Sequence, residues 1–166
     1  MSMISIVRPE EARAFVSLSN QLEKESDFLL YEAGERGMSI EKARSLIESI
    51  GKQENSVLFA ARDHNKLIGH VMCIGGSAKR NRHSAKVVTG VLAGYQGKAW
   101  ASQLFAKVDR WAIDHHIHRL ELTVMIHNER ALKLYKKIGF KVEGIKKQSL
   151  LVNNKWVDEY LMAKIF

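Results

Sequence analysis

From Gln96 to Ala101 the chain reads Gln-Gly-Lys-Ala-Trp-Ala, a run of small residues around one lysine. Just ahead of it Val87, Val88, Thr89, Gly90, Val91 and Leu92 form an apolar, β-branched run of strand length. Behind it Trp100, Leu104, Val108 and Trp111 recur at steps of four, four and three, which is helical spacing. A strand therefore feeds a short loop that opens directly into a helix. The first amides of a helix have no intrahelical acceptor, and the dipole makes that end positive. Small residues let a bulky anion reach those amides, and Lys98 adds a formal charge. The chemistry available to this stretch is the binding of phosphate or pyrophosphate. The same residues also fit an ordinary strand–helix connection with Gly97 as its turn.

The other chemistry-bearing side chains point to less. Cys73, the single cysteine, sits inside the apolar run Leu67–Ile74 and reads as a buried small hydrophobe, not a nucleophile. It allows no internal disulfide and suits a reducing compartment. His115, His116 and His118 lack the i, i+4 spacing of a helical zinc site and have no accompanying Cys or acidic set, so no metal is expected. The net charge of +8 fits an anionic ligand, nucleic acid or simple solubility. Its densest group, Lys79-Arg80-Asn81-Arg82-His83, is short and carries no interleaved aromatics to stack on bases, which argues against nucleic acid.

These residues must be positioned by a single domain over residues 1–166. The chain is 46% hydrophobic, has one proline and shows no repeat, linker or low-complexity tract. No apolar run approaches the roughly 18 residues that span a bilayer, and Met1–Arg8 lacks a secretory pattern; a cytoplasmic protein is expected. Ile4–Val7 reads as a strand. Pro9-Glu10-Glu11 starts a helix whose face is Ala12, Phe15, Ser19 and Leu22. Glu25–Met38 is an irregular connection, and Ser39 caps a second helix that runs through Ile50 and stops at Gly51. Val57–Arg62 and Leu67–Ile74 form a hairpin. Ser84–Leu92 is the strand before the loop, and its helix ends near His115 or His116. Arg119–Ile126 alternates, with Leu120, Leu122, Val124 and Ile126 on one face and Arg119, Glu121, Thr123 and Met125 on the other. A helical crossover of this length makes Ser84–Leu92 and Arg119–Ile126 parallel. Asn128 caps a further helix with Ala131, Leu134, Tyr135 and Ile138 inward, and two last strands join around Asn153-Asn154.

Taken together, three segments resemble the GCN5-related N-acetyltransferase (GNAT) family. They are Gln96–Ala101, similar to its Q/R-x-x-G-x-G/A pyrophosphate motif; Leu120–Val124 followed by Asn128–Ala131; and Leu134–Gly144. The tail Trp156–Met162 is similar to the branch of ribosomal-protein N-terminal and spermidine acetyltransferases. The resemblance covers roughly Leu58–Phe166. It implies an α/β (α+β) fold: a mixed, mostly antiparallel twisted sheet, flanked by helices, whose central parallel strands splay around acyl-CoA. It implies acetyl-CoA as co-substrate and direct transfer to a primary amine: a protein N-terminus, a polyamine or a small metabolite. The backbone at Val91, Leu92 and Ala93 would hold the pantetheine, and amides of Gln96, Gly97, Lys98, Ala99, Trp100, Ala101 and Ser102 the pyrophosphate. Asn128 resembles the family's cofactor-contacting asparagine, Tyr135 its general acid, and Lys137 a possible phosphate contact. Read without the family, Tyr135 fits a core tyrosine and Lys137 a solvated helix face.

Two departures stand out. The family has glycine where this chain has Ala99, which predicts weaker cofactor binding. Related sequences often carry a glutamate base near Lys86, and a protonated lysine cannot accept a proton; a water chain, Glu121 or His83 are the alternatives. The acceptor would be shaped by Phe28–Met38 and Gly75–His83, with Glu23, Glu25, Asp27, Glu32 and Glu35 forming either a local acidic pocket or a solvated surface. A catalytically degenerate protein that binds acyl-CoA or a partner is the competing reading, and a homodimer paired through C-terminal strand edges is plausible on the strand pattern.

Overall fold

The computed structural model describes residues 2–166; Met1 lies outside the described residues. Seven strands form one sheet in the order β1-β2-β3-β4-β5-β7-β6. They are β1 (Ser2–Ile6), β2 (Ser56–Asp63), β3 (Lys66–Gly75), β4 (Ser84–Val91), β5 (Arg119–Met125), β6 (Lys141–Val152) and β7 (Lys155–Ile165). Every neighbouring pair is antiparallel except β4 and β5, which are parallel and joined by a helical crossover, as the spacing predicted. Four helices flank the sheet: α1 (Ala12–Glu25), α2 (Ile40–Gly51), α3 (Trp100–Asp114) and α4 (Glu129–Lys137).

Local chemistry explains the helix ends. The Ser39 hydroxyl accepts from the Lys42 amide at 3.1 Å and starts α2. The Asn128 side chain does the same for α4, accepting from Ala131 N at 3.3 Å. Gly139 ends α4 with φ of +106°, a backbone state that L side chains resist. Asn153 and Asn154, both in the left-handed region, make the tight turn between β6 and β7.

The two halves of the sheet are covered differently. In β2 and β3 both faces are buried. On one face Phe15 of α1 packs edge-on to His70, with ring centroids 5.5 Å apart; α3 closes the other with Leu104, Phe105 and Val108. In β5 only Leu120, Leu122 and Val124 turn into the core. Its opposite face carries an ion network. There Arg119 holds Glu121 at 3.0 Å and reaches Glu143 of β6 with both terminal nitrogens. One reading of β5 is corrected: Ile126 is 39% exposed, whereas Met125 is buried. The strand stops at Met125, whose carbonyl accepts from Asn128 N as the chain turns into α4, so the alternation ends one residue early. Among the described residues, no helix is long and apolar enough to cross a membrane.

Candidate active site

β4 and β5 pair only at Ser84↔Arg119, Ala85↔Leu120 and Lys86↔Glu121. Past Lys86, β4 continues on β3 as far as Gly69↔Val91, and β5 continues on β7 as far as Met125↔Glu159. Each arm follows the twist of its own neighbour, so the two part into a V. Leu92 N donates to Ile68 O at 2.9 Å, which turns the even-numbered peptides of β4 toward β3. The alternate peptides, at Thr89 and Val91, face the gap, where β5 no longer pairs with them. This is an open strand edge inside the molecule.

The loop Leu92–Ala99 closes the β4 arm. A 3₁₀ turn at Ala93–Tyr95 is pinned from both sides: Glu25 Oε2 accepts from Ala93 N at 2.8 Å, and the Tyr95 hydroxyl donates to Asp63 Oδ2 at 3.0 Å. That carboxylate bond to the backbone amide holds the Glu25 carboxyl below its ordinary range. Gly97 and Ala99 then take positive φ values of +77° and +64°, and Ala99 is the N-cap of α3. Positive φ explains why the family motif has glycine at this position: a β-carbon in the left-handed region is strained whether or not a ligand is bound. The amides of Gly97, Lys98, Ala99, Trp100, Ala101 and Ser102 donate to no protein acceptor among the described residues. They form a solvent-facing nest at a positive helix end. Lys98 Nζ stands 5.9 Å from the centre of the Tyr95 ring, at the edge of the nest.

The β5 arm brings a second set of groups. Asn128 and α4 follow directly from the strand. Arg130, which sequence spacing did not single out, donates to Gln96 Oε1 at 2.6 Å, while Gln96 Nε2 donates to Val91 O at 3.0 Å. The Gln96 amide thus bridges the two arms across the mouth of the V. Only the pairing of a loop glutamine with a first-turn arginine reveals Arg130; nothing in the local sequence marks it. Tyr135 is buried between α3 and β6, with its ring 5.9 Å from both Phe105 and Phe140. Burial alone pushes its phenol up to about 12. Lys137 is exposed in the last turn of α4.

The structure thus gathers Val91, Gln96, the Gly97–Ser102 amides and Asn128 around one opening. Leu92 and Ala93 border it, but their amides are already bonded, to Ile68 O and Glu25. The bases proposed for the reaction are not gathered there. Glu121 lies at the closed end of the V and is tied to Arg119. His83 precedes β4, and its carbonyl accepts from His118 N and Arg119 N at that same closed end. Three of the five acidic residues are engaged separately. Glu23 is buried and paired with Arg36 at 2.9 Å, Glu25 caps Ala93, and Glu35 accepts from Glu32 N. The Ser26–Ser39 connection, free of helix and strand, reaches the β5 arm, where Phe28 packs on His127 at 5.1 Å. Beyond His127 lies a cavity of about 370 Å³ that also touches Ile126, Gln148 and Trp156.

Comparison with known proteins decides what family builds such a site. A family model described as the acetyltransferase (GNAT) family matches residues 20–140, well over half of the chain. The chain belongs to the GNAT family. Acetyl-CoA is that family's acyl donor, and a GNAT-fold acetyltransferase of Salmonella typhimurium, 14% identical with a TM-score of 0.88, was solved with it as cofactor. This GNAT is similar over its full length to an acetyltransferase of the family from Streptococcus pneumoniae, with a TM-score of 0.97 and 26% identity, each chain covered completely. It is 33% identical over 103 residues to the L-amino acid N-acetyltransferase of Escherichia coli, covering 60% of this chain. It is 28% identical over 121 residues to that organism's ribosomal protein uS5-alanine N-acetyltransferase, covering 71% of this chain. In both cases the match spans 62% of the relative's own length.

Proposed function

We propose that this GNAT moves an acetyl group from acetyl-CoA directly to a primary amine. The observation that supports this reading best is the juxtaposition of a β4 edge that no strand pairs at Thr89 and Val91, where Gln96 takes only Val91 O, with six amides at Gly97–Ser102 that have no protein acceptor among the described residues. An extended amide-bearing chain adds to the former as an extra strand would. A pyrophosphate suits the latter. In this reading Arg130 and Lys98 supply charge to the phosphates, Asn128 contacts the cofactor from the β5 arm, and Lys137 reaches an outer phosphate.

The chemistry assigned to this chain's own groups is short. A neutral amine nitrogen attacks the thioester carbonyl, whose developing charge is met by the gap-facing peptides of β4. Tyr135 gives its proton to the departing sulfur. Its raised pKa keeps the phenol protonated at neutral pH, which is the form an acid needs. No acyl-enzyme is required. Cys73 is buried and its thiol is pushed up to about 12 by burial, so it takes no part.

Relatives named for L-amino acids and for the alanine terminus of a ribosomal protein, with a fold relative named for spermidine, mark the classes of amine to test. The competing reading, an acyl-CoA-binding protein without turnover, draws on Lys86 in the place of the family's glutamate. Calorimetry with acetyl-CoA, beside dephospho-CoA, followed by thiol release with each class of amine, separates the two. Binding with turnover of one amine class supports the transferase. Binding with no turnover of any class supports the degenerate reading, and no binding at millimolar cofactor overturns both.

A further inference from the structure

The face of the V that looks toward α1 contains a carboxylate near the open end that the reaction has not used. A β-carbon at Gly90 would stand 3.1 Å from Leu22 Cδ1, so the even-numbered side chains of β4 share the face that α1 covers. On β4 these are Lys86, Val88 and Gly90, none of which accepts a proton at neutral pH. Lys86 is level with Glu121, so on β5 the same face carries Glu121, Thr123 and Met125. Met125 is opposite Glu159 on β7. Continuing the β4–β5 register past Lys86↔Glu121 brings Gly90 level with Met125 across the gap, and with Glu159 one strand beyond Met125. Glu159 thus stands at the open end of the V, at the height where the Thr89 and Val91 peptides turn inward.

Its surroundings suit a working carboxylate. Glu159 is 8% exposed, one of few buried charged residues. Ser149, delivered by the irregular stretch of β6 between Lys146 and Leu150, donates its hydroxyl to Oε1 at 2.8 Å. Lys146 of β6 lies 3.7 Å from that same oxygen, too far for a hydrogen bond. Oε2 has no partner among the described residues. The other charged groups nearby are engaged elsewhere. Asp158, its neighbour, points to the opposite side and is held by Gln148 N and Lys147. Glu121, farther down the face, belongs to Arg119. His127, past the end of β5, packs against Phe28.

We infer that Glu159 receives the acceptor's ammonium and removes its first proton, so that this GNAT carries its base on β7 instead of β4. The inference rests on the acetyl-transfer reading. Oε2 takes one proton from the ammonium and later releases it to solvent. The neutral nitrogen bonds to the thioester carbon, and the C–S bond breaks with its electron pair on sulfur. Tyr135 protonates that sulfur, and the nitrogen's second excess proton restores the phenol.

The test is Glu159→Gln, which keeps the shape and the Ser149 contact, compared with wild type over pH 6–9. The acceptor is the L-amino acid, alanine-terminated peptide or polyamine that wild type turns over. We expect kcat/KM at neutral pH to fall about 100-fold, the scale of general base catalysis. The loss should shrink as pH rises and the amine deprotonates unaided, while acetyl-CoA affinity stays unchanged. Glu159→Asp, which retains the acid, should keep the wild-type profile at a lower rate. Equal rates in Glu159→Gln and wild type overturn the assignment, as does a loss of the same size at every pH, which would mark a structural role. Wild type without turnover of any amine refutes acetyl transfer itself, which is a separate result.

Discussion

Two sides of the V's open end are built from different materials. At the mouth, the Gly97–Ser102 loop presents backbone amides, and any sequence that holds the backbone in that shape presents the same donors. On the α1 face, polar side chains arrive from separate elements: Arg36 from a connection, His70 from β3, Ser149 and Glu159 from the last hairpin. The first end is a local structure read by counting along the chain. The second exists only after the sheet has assembled. That difference suits a family with a common donor and varied acceptors: the shared part is coded in backbone geometry, and the variable part in side chains that change without disturbing it.

The sharpest way to break this division is at Tyr135, which the proposed mechanism makes the acid and places in neither binding end. Tyr135→Phe should cut kcat by roughly 100-fold or more, the usual scale for losing a general acid. Acetyl-CoA affinity and thermal midpoint should barely move, because the ring still packs on Phe105 and Phe140. Stopped-flow thiol release with parallel calorimetry checks both halves. An unchanged kcat would return Tyr135 to a purely structural place in the aromatic cluster.

His70 tests the side-chain end through stability. Burial, reinforced by Arg36, pushes its imidazole down to about 4, and its Nδ1 has no hydrogen-bond partner. Between about pH 6.5 and 4 the unfolded chain binds a proton there and the folded chain does not. Stability therefore falls as pH drops through that window and levels off below it, by on the order of 3 kcal/mol at most. Urea unfolding at several pH values should show this slope, and His70→Gln should flatten it. A slope that survives the substitution would place its origin in other groups.

The smallest effect belongs to the backbone end. Ala99→Gly removes the strain of a β-carbon at φ +64° and should stabilise the protein by about 1 kcal/mol, raising the midpoint by about 2–4 °C. If the nest is made of backbone donors alone, acetyl-CoA should bind at least as tightly to this variant. Weaker binding would mean that the Ala99 side chain contributes a contact, and the contrast between the two ends would narrow.

How much of this was legible in the chain follows from the same contrast. Ser39 and Asn128 were readable as caps because a cap needs only its own next three residues. The β4–loop–α3 unit was readable because small residues and a change of period mark it locally. Ile126 was counted with the inward residues because the strand ends at Met125, where the chain turns into α4, and alternation carries no signal for its own end. The Arg130–Gln96 bond and the place of Glu159 were not legible, because each depends on pairing between distant segments: Gln96 meets Arg130 34 residues away, and Glu159 stands opposite Met125 only through the β5–β7 register.

By itself, then, the sequence determined the order and type of the elements, the parallel crossover between β4 and β5, and the amide nest ahead of α3, since short-range propensity, periodicity and capping suffice for those. The tertiary structure alone decided that β4 and β5 part after three residue pairs and that Gln96 spans the gap. It alone also decided that Glu159, bonded to Ser149 and near Lys146, stands level with that open end. Those features are set by which neighbour each strand's twist follows, a competition among hydrogen-bonded partners far apart in the chain that no local pattern records.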